Sequence, residues 1–351
     1  MSVELACPNC GIALTRDTAS MICGVCGKVG DCMDGIDCFA DPNYYWGEIP
    51  RDQMQRVNEF AKTSNWRDAV ETLVKNEKLH EYICSPSRAD FQYIWDVPHD
   101  ADVLDVGAGW GAIACALAQN LGTVVAMEGV ADRCRFIQIR AQQCGLRNVS
   151  VICADFQRPP LAAAQFDVIV LNGVLEWAGM AGQENPRDLQ LRFLEKMRLL
   201  LKPSGFLCVG IENRIGAEVI RGAVDHSGWP YTSLMPRRVA DVWCRYKQIR
   251  YRSGANLGYR TYTYSLSGYR KLFREAGFAS TAAFHAWDGY NKPSLLLPLK
   301  SPKPLIHFAA GRHLKRSDWA GRFRKLAMKT AAKTSVWSKL ASEFVFLVYK
   351  T

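Results

Sequence analysis

From Ala101 onward, short apolar runs alternate with longer stretches whose apolar positions recur every three or four residues. Asp102 to Val106, Thr123 to Met127, Val149 to Cys153, Phe166 to Leu171 and Gly205 to Ile211 read as strands. Between them, Ala112 to Asn120, Ala131 to Cys144 and Arg187 to Leu201 read as helices, the last ending before Pro203, whose ring cannot continue a helix. Short strands with nearly continuous apolar residues, separated by helices, predict an α/β fold: a doubly wound, mostly parallel sheet covered on both faces. Upstream, helical patterns occupy Pro50 to Lys62, Asn65 to Lys75 and Ser87 to Trp95, with Ser87 as N-cap. Downstream, Glu212 to Thr263 is irregular and rich in Gly, Arg and aromatics. Helical periodicity returns at Ser267 to Ala276, capped by Gly277, and two further strands follow at Thr281 to Trp287 and Phe344 to Tyr349.

The chain has 351 residues, 48% hydrophobic and 22% charged, as expected of a globular protein with one large domain plus a smaller one, or with two medium domains. No apolar run reaches the roughly 20 residues a transmembrane helix needs, and residues 1–10 have no signal-peptide core. The expected location is cytoplasmic. Most of the thirteen cysteines, such as Cys115, Cys153 and Cys208, are scattered through apolar stretches, as small buried hydrophobes are in a reducing compartment.

The net charge of +10 changes the picture only locally. Lys300 to Ser342 holds eleven basic residues against Asp318 alone, with Trp319, Phe323, Leu326, Ala327, Ala331, Trp337 and Leu340 at helical spacing. This amphipathic helix is expected to pack on the α/β domain with a solvated basic face. Association with an anionic membrane surface or with RNA phosphates are the competing readings.

Four cysteines open the chain as Cys7-x2-Cys10 and Cys23-x2-Cys26. Two tight turns, each aiming two thiolates, with a gap long enough for a hairpin, are the spacing of a zinc ribbon. Four sulfur ligands leave no open coordination position, so one structural zinc is expected, with Cys32 and Cys38 as bystanders. The aromatic run Tyr44-Tyr45-Trp46-Gly47 follows.

The first strand runs into V-L-D-V-G-A-G-W-G. Glycines at such a turn let a backbone approach a ligand and present helix N-terminal amides to it, which suits a dinucleotide as well as other nucleoside cofactors. Three acids break the tie. Asp105 precedes the glycines, where a cationic amino group gains from a carboxylate and a pyrophosphate does not. Glu128 ends the second strand, where it can accept from both ribose hydroxyls. Asp155 follows the third strand and, with Phe156, can meet an adenine edge and face.

From Asp102 to Glu212 these residues, F-D-V-I-V-L-N-G-V-L-E-W (166–177) and L-L-K-P-S-G-F-L (200–207) resemble class I S-adenosylmethionine-dependent methyltransferases. The resemblance implies a seven-stranded sheet and a cofactor site of Asp105, Gly107, Ala108, Gly109, Gly111, Glu128, Gly129, Asp155, Phe156 and Asn172. Related enzymes often carry His where this chain has Trp177, which leaves Asn172 and Glu176 beside the methyl group. I-E-N-R-I-G (211–216), Asp225-His226, G-Y-R-K-L-F-R-E-A-G-F (268–278) and Y-N-K-P-S-L-L-L-P-L (290–299) resemble methyltransferases associated with surface-glycan biosynthesis. That similarity implies His226 as base, oriented by Asp225, with Glu212, Asn213 and Arg214 lining an acceptor pocket; His285 is the weaker alternative. The expected organisation is a ribbon at 1–40, a linker at 41–100 and a methyltransferase domain at 101–351 with insertions near 213–263 and 288–342. The expected acceptor is a saccharide, a lipid-linked saccharide or another small metabolite. An RNA methyltransferase is the alternative, and a zinc-dependent binding protein with a degenerate fold comes last.

Overall fold

The computed structural model describes residues 3–180, 182–249, 258–310, 319–334 and 336–351; of 309–310 and 319–325 only the backbone is described. The chain forms two compact units. Unit 1 comprises Met1–Asn172, Lys196–Leu207 and Lys350–Thr351, and unit 2 comprises Gly173–Glu195 and Cys208–Tyr349.

Unit 1 opens with four short strands, β1 (Thr15–Asp17), β2 (Ser20–Cys23), β3 (Gly27–Met33) and β4 (Ile36–Cys38), paired antiparallel in sequence order. The core strands are β5 (Val103–Val106), β6 (Val124–Glu128), β7 (Val149–Cys153) and β8 (Phe166–Asn172). They run parallel in the order β7-β6-β5-β8, and every residue of β5 and β6 is buried, which is why these runs are apolar without alternation. The register sets Asp105 beside Ala126 and Glu128 beside Cys153, so the strand ends carrying the acids lie along one edge. In open α/β sheets that edge is where ligands bind.

The sheet does not stop at seven strands. β4 pairs parallel with β7, Asp37 opposite Ile152 and Cys38 opposite Cys153, and the first half of β9 (Leu201–Glu212) flanks β8, so unit 1 alone orders nine strands. The physical reason is an edge: without β4, β7 would leave a row of backbone groups unpaired. Ile36 and Cys38 also bury against Ala131, Cys134 and Cys153. The opening residues join the same face, with Ala6 N donating to Pro160 O at 3.1 Å.

Three helices, Arg51–Thr63, Trp66–Leu73 and Glu77–Cys84, pack on the helix Ala131–Gln143 and on Trp110 of the glycine turn. Asn65 and Asn76 cap the second and third through their side-chain oxygens. Arg140, almost fully buried, donates to Ile83 O (2.8 Å) and Trp110 O (3.2 Å) and lies 4.1 Å over the Trp66 ring. The helix expected at Ser87 to Trp95 is instead a 3₁₀ stretch, Pro86–Ile94. Its three-residue period superposes Arg88 and Phe91 on one buried side.

Unit 2 contains the end of β9, then β10 (Ser280–Trp287), β11 (Leu295–Pro298) and β12 (Glu343–Tyr349), in the order β9-β12-β10-β11. β10 pairs antiparallel with both β11 and β12. The irregular stretch after β9 holds the helices Ala217–Ile220 and Arg237–Tyr246. In the basic segment, Arg312, Lys315, Arg316 and Asp318 lie outside the described residues. Trp319–Lys333 is helical, and Met328, Ala332 and Trp337 pack with Leu297, Leu305 and Phe308. Leu326 stays exposed. Among the described residues, no helix is long and apolar enough to cross a membrane.

Candidate active site

Three left-handed glycines shape the turn after β5: φ is +66° at Gly107, +58° at Gly109 and +73° at Gly111. At Gly111 a Cβ would come within 3.0 Å of Ile137, whereas at Gly109 nothing lies closer than 3.9 Å. Gly111 therefore serves packing, and Gly109 leaves a face of the turn open. Ala108 is fixed by donating its N–H to Met127 O at 3.1 Å.

Glu128, 6% exposed, accepts from Gly109 N (2.8 Å) and from Val130 N (3.0 Å), which fixes the turn to the end of β6. Each carboxylate oxygen keeps a further lone pair for a hydroxyl donor. Burial raises its pKa while Arg133 and these two amides oppose the rise. Asp105 is 2% exposed, and its Oδ2 has no hydrogen-bond partner. Burial pushes its carboxyl up to about 7, against the pull of the Arg88 guanidinium. A buried carboxylate oxygen without a donor is costly unless a ligand completes it. The donor set fits S-adenosylmethionine: an ammonium for Asp105, ribose hydroxyls for Glu128, and an open backbone at Gly109. Asp155 is exposed, with Oδ1 accepting from Gln157 N at 2.9 Å, Phe156 is half-buried, and Asn172 ends β8.

The reading from sequence left Tyr44 to Glu48 without a role. Tyr44 stands 3.7 Å from the Cβ position of Gly129, and the charges of Glu128 and Asp155 add to burial in raising its pKa. Glu48 pairs with the buried Arg133 and accepts from Trp110 Nε1 at 3.0 Å. Tyr44 and Glu48 thus lie beside the end of β6 and the glycine turn. Three aromatic residues in succession, with Glu48 two positions on, were the available signal, but nothing in the sequence says which strand end they reach.

The acceptor-side candidates come together inside unit 2. Glu176 lies in the short turn Leu175–Met180, Glu212 ends β9, and His226 lies in the loop after Ala217–Ile220. His226 Nε2 is 3.2 Å from Glu212 Oε1 and 3.6 Å from Glu176 Oε1, and the Trp177 ring lies 4.9 Å from the imidazole. Glu176 is completely buried, and burial, reinforced by the Glu212 charge, pushes it up to about 8. Burial works to lower His226, but Glu212, then Glu176 and Asp225, overcome it and raise the imidazole to about 9. Tyr290 Oη donates to Glu212 Oε1 at 3.0 Å, and Tyr290 N donates to Glu343 Oε2 at 2.6 Å. Gly173 admits that tyrosine: a Cβ there would sit 3.0 Å from Tyr290 Oη.

Other candidates have structural partners. Asp225 Oδ1 accepts from Ser227 N at 2.8 Å, so the carboxylates orienting His226 are Glu212 and Glu176. Asn213 donates to Lys339 O and Ala341 O, and Arg214 to Ser233 O and Met235 O; both brace loops. His285 is a core residue of β10. Its Nδ1 lies 3.1 Å from Trp337 Nε1, and burial pushes it down to about 4.

Cys7, Cys10, Cys23 and Cys26 bring their four sulfurs within 4.8 Å of one another, with Cys7 and Cys23 buried and Cys10 and Cys26 exposed. Gly11 (φ +76°) and Gly27 (φ +74°) follow the second cysteine of each pair and turn the chain back. The N–H groups of Cys26 and Val25 hold the Cys23 thiol down at about 6. A pocket of four sulfurs at this spacing fits a tetrahedral ion.

Residues 104–209 match a family described as a methyltransferase domain. Among curated proteins, none matches the sequence. Similar solved structures include Haemonchus contortus phosphoethanolamine N-methyltransferase 2 in complex with S-adenosylmethionine, at 12% identity and a TM-score of 0.45, covering 84% of this chain and 60% of that one. Another is an S-adenosylmethionine-dependent methyltransferase from Thermotoga maritima, at 13% identity and a TM-score of 0.42, covering 85% of this chain and all of that one. A third, the YcgJ protein of a Bacillus species, has 13% identity and a TM-score of 0.39, covering 75% and 95%. With the glycine turn, Asp105 and Glu128 inside the matched span, residues 104–209 are a methyltransferase domain of the class I fold, and the chain is an S-adenosylmethionine-dependent methyltransferase.

Proposed function

We propose that the enzyme methylates a hydroxyl group of a saccharide, a lipid-linked saccharide or another small polar metabolite. The observation that carries this reading is the placement of His226 Nε2 between Glu212 and Glu176 in a partly buried, acid-rich cluster. Bound S-adenosylmethionine supplies a methyl group already activated by its sulfonium, so the chain's own task is to align the nucleophile and remove its proton. Asp105, the turn from Gly107 to Gly111 and Glu128 hold the cofactor. Asp155 and Phe156 meet its adenine, and Asn172 lies beside the methyl group. Within the acceptor cluster, the carboxylates fix the imidazole ring, Trp177 covers it, and the proton of the acceptor hydroxyl leaves here. One zinc ion holds Cys7, Cys10, Cys23 and Cys26 as a structural element of unit 1. The basic segment packs on unit 2 through Met328, Ala332 and Trp337.

Labelled-methyl transfer to cell extract, fractionated into RNA, lipid, glycan and small molecules, tests the acceptor class. Label in the glycan, lipid or small-molecule fraction, lost in His226→Ala, is the expected result. Label confined to RNA would replace this reading with the nucleic-acid one. Liposome sedimentation and a salt titration of activity test the basic segment; packing predicts little response in either.

A further inference from the structure

The cluster around His226 has an unusual charge balance. Four carboxylates, Glu176, Glu212, Asp225 and Glu343, act on one imidazole and on one another. Among the described residues, none of the four pairs with a lysine or arginine; the ion pairs of this cluster run only to His226. Glu176 is 0% exposed, and neither of its oxygens has a hydrogen-bond partner. Glu212 Oε2 and Asp225 Oδ2 are buried without partners as well. Carboxylates this close together, with Glu176 fully buried and the other three half-buried, need either protons or a cation, since burying an uncompensated negative charge is among the costliest things a fold can do.

We infer that Glu176, Glu212 and His226 Nε2 form a divalent-cation site, and that the cation binds the oxygens of the acceptor. One donor atom from each of the three residues lies within 4.8 Å of the others, and the two contacts of Nε2 are 3.2 and 3.6 Å. Those spacings are near the edges, roughly 3 Å, of a coordination polyhedron with metal–ligand bonds of about 2.1 Å. An imidazole nitrogen between two carboxylates suits Mn²⁺ or a similar borderline cation and would gain nothing from an ammonium. Tyr290 supplies the outer support. Its hydroxyl donates to Glu212 Oε1 while Glu343 accepts from its backbone N–H, which fixes the orientation of a ligating carboxylate. Three protein ligands leave positions open, and two neighbouring hydroxyls of a saccharide can fill them as a chelate.

This inference rests on the reading of the cluster as the acceptor site and gives it a chemical device. A hydroxyl bound to the cation loses its proton to water far more readily than a free one. The freed oxygen lone pair forms the new O–CH₃ bond as the methyl carbon's bond to sulfur breaks. The bonding pair stays on sulfur, and the products are a methyl ether, S-adenosylhomocysteine and one proton. His226 is then a ligand, and a separate general base is unnecessary.

The test is Mn²⁺ binding to the full-length, zinc-loaded protein, followed by electron paramagnetic resonance of free Mn²⁺ and by calorimetry. Mn²⁺ prefers oxygen and nitrogen donors, so it does not report the cysteine site. One ion per chain is expected, with affinity weakened at least about tenfold in Glu176→Gln, Glu212→Gln and His226→Ala. Glu176→Gln is nearly isosteric, and an unchanged or raised melting temperature without metal shows that it is folded. Absence of Mn²⁺ binding by the wild type at millimolar metal overturns the proposal, as does unchanged affinity in all three variants. If Mn²⁺ does not bind and His226→Ala still abolishes methyl transfer, the cation fails while the proposed function survives. If Mn²⁺ binds and no glycan, lipid or small molecule takes label, the site stands and the acceptor reading falls.

Discussion

Replacing Asp105 by asparagine should weaken cofactor binding and strengthen the fold, in amounts set by one buried carboxyl group. Asp105 is 2% exposed with an unpartnered Oδ2, and burial raises its pKa to about 7. An unfolded aspartate has a pKa of about 3.9, so the folded state binds a proton that the unfolded state releases. Stability from this group is therefore full below pH about 4 and is lost as pH rises through about 7. The difference of some three pH units amounts to an upper bound on the order of 4 kcal/mol above pH 7. A buried amide with imperfect partners takes back about half, so Asp105→Asn should gain about 1–3 kcal/mol at pH 8. That gain should shrink by up to about 1.4 kcal/mol per pH unit between pH 7 and 5. Cofactor binding should move the other way. Only ionised Asp105 attracts the ammonium, so the wild-type dissociation constant should rise roughly tenfold from pH 7.5 to 6, with a basic limb where the cofactor's own amino group deprotonates near pH 8. Asp105→Asn should bind about 10- to 100-fold more weakly at pH 7.5 and lose the acid limb. Urea denaturation and calorimetric titration, each at four pH values, measure both. A variant that binds like wild type, with the same acid limb, would show that Asp105 does not hold the ammonium.

Three further outcomes are expected. Gly111→Ala should lose about 1–3 kcal/mol and reduce cofactor affinity, because φ is +73° and the new methyl would meet Ile137 at 3.0 Å; comparison with Gly145→Ala, left-handed but open, separates strain from overlap in urea melts. A strong chelator or Cys23→Ser should release one zinc per chain, read by a chromogenic indicator, and lower the melting temperature, whereas Cys32→Ser should do neither; a protein that carries no zinc refutes the assignment. Arg140→Met should destabilise unit 1 by about 2–4 kcal/mol, since it removes two donors to buried carbonyls and the cation over Trp66, and a loss under 1 kcal/mol in denaturant melts would contradict that role.

The cofactor half of the site was legible because its signals are local. A strand, three glycines and an acid must be adjacent in sequence for the backbone to turn toward a ligand, and Glu128 follows one β-α-β step later. The cysteine pairs were legible for the same reason, since each turn carries its own ligands. The cluster around His226 was legible only through motif resemblance. That named His226, Glu176 and Glu212 but also promoted Asn213 and Arg214, whose side chains hold loop carbonyls. Residue type could not separate these roles, because a buried Asn or Arg bracing a loop looks the same in sequence as one facing a substrate.

The sequence by itself determined the parallel α/β core, the position of the glycine turn, the acids at its strand ends and the pairing of the four cysteines. Each of those follows from periodicity within single elements or from spacing between successive ones. The tertiary structure alone decided that β4 extends the sheet from β7, that Tyr44 and Glu48 lie beside the end of β6 and the glycine turn, and that Glu176, Glu212 and Tyr290 converge on His226. Those contacts join residues from about 14 to well over 100 positions apart. They are selected by which edges and charges remain unsatisfied once the local elements have formed, and no window of sequence contains that information.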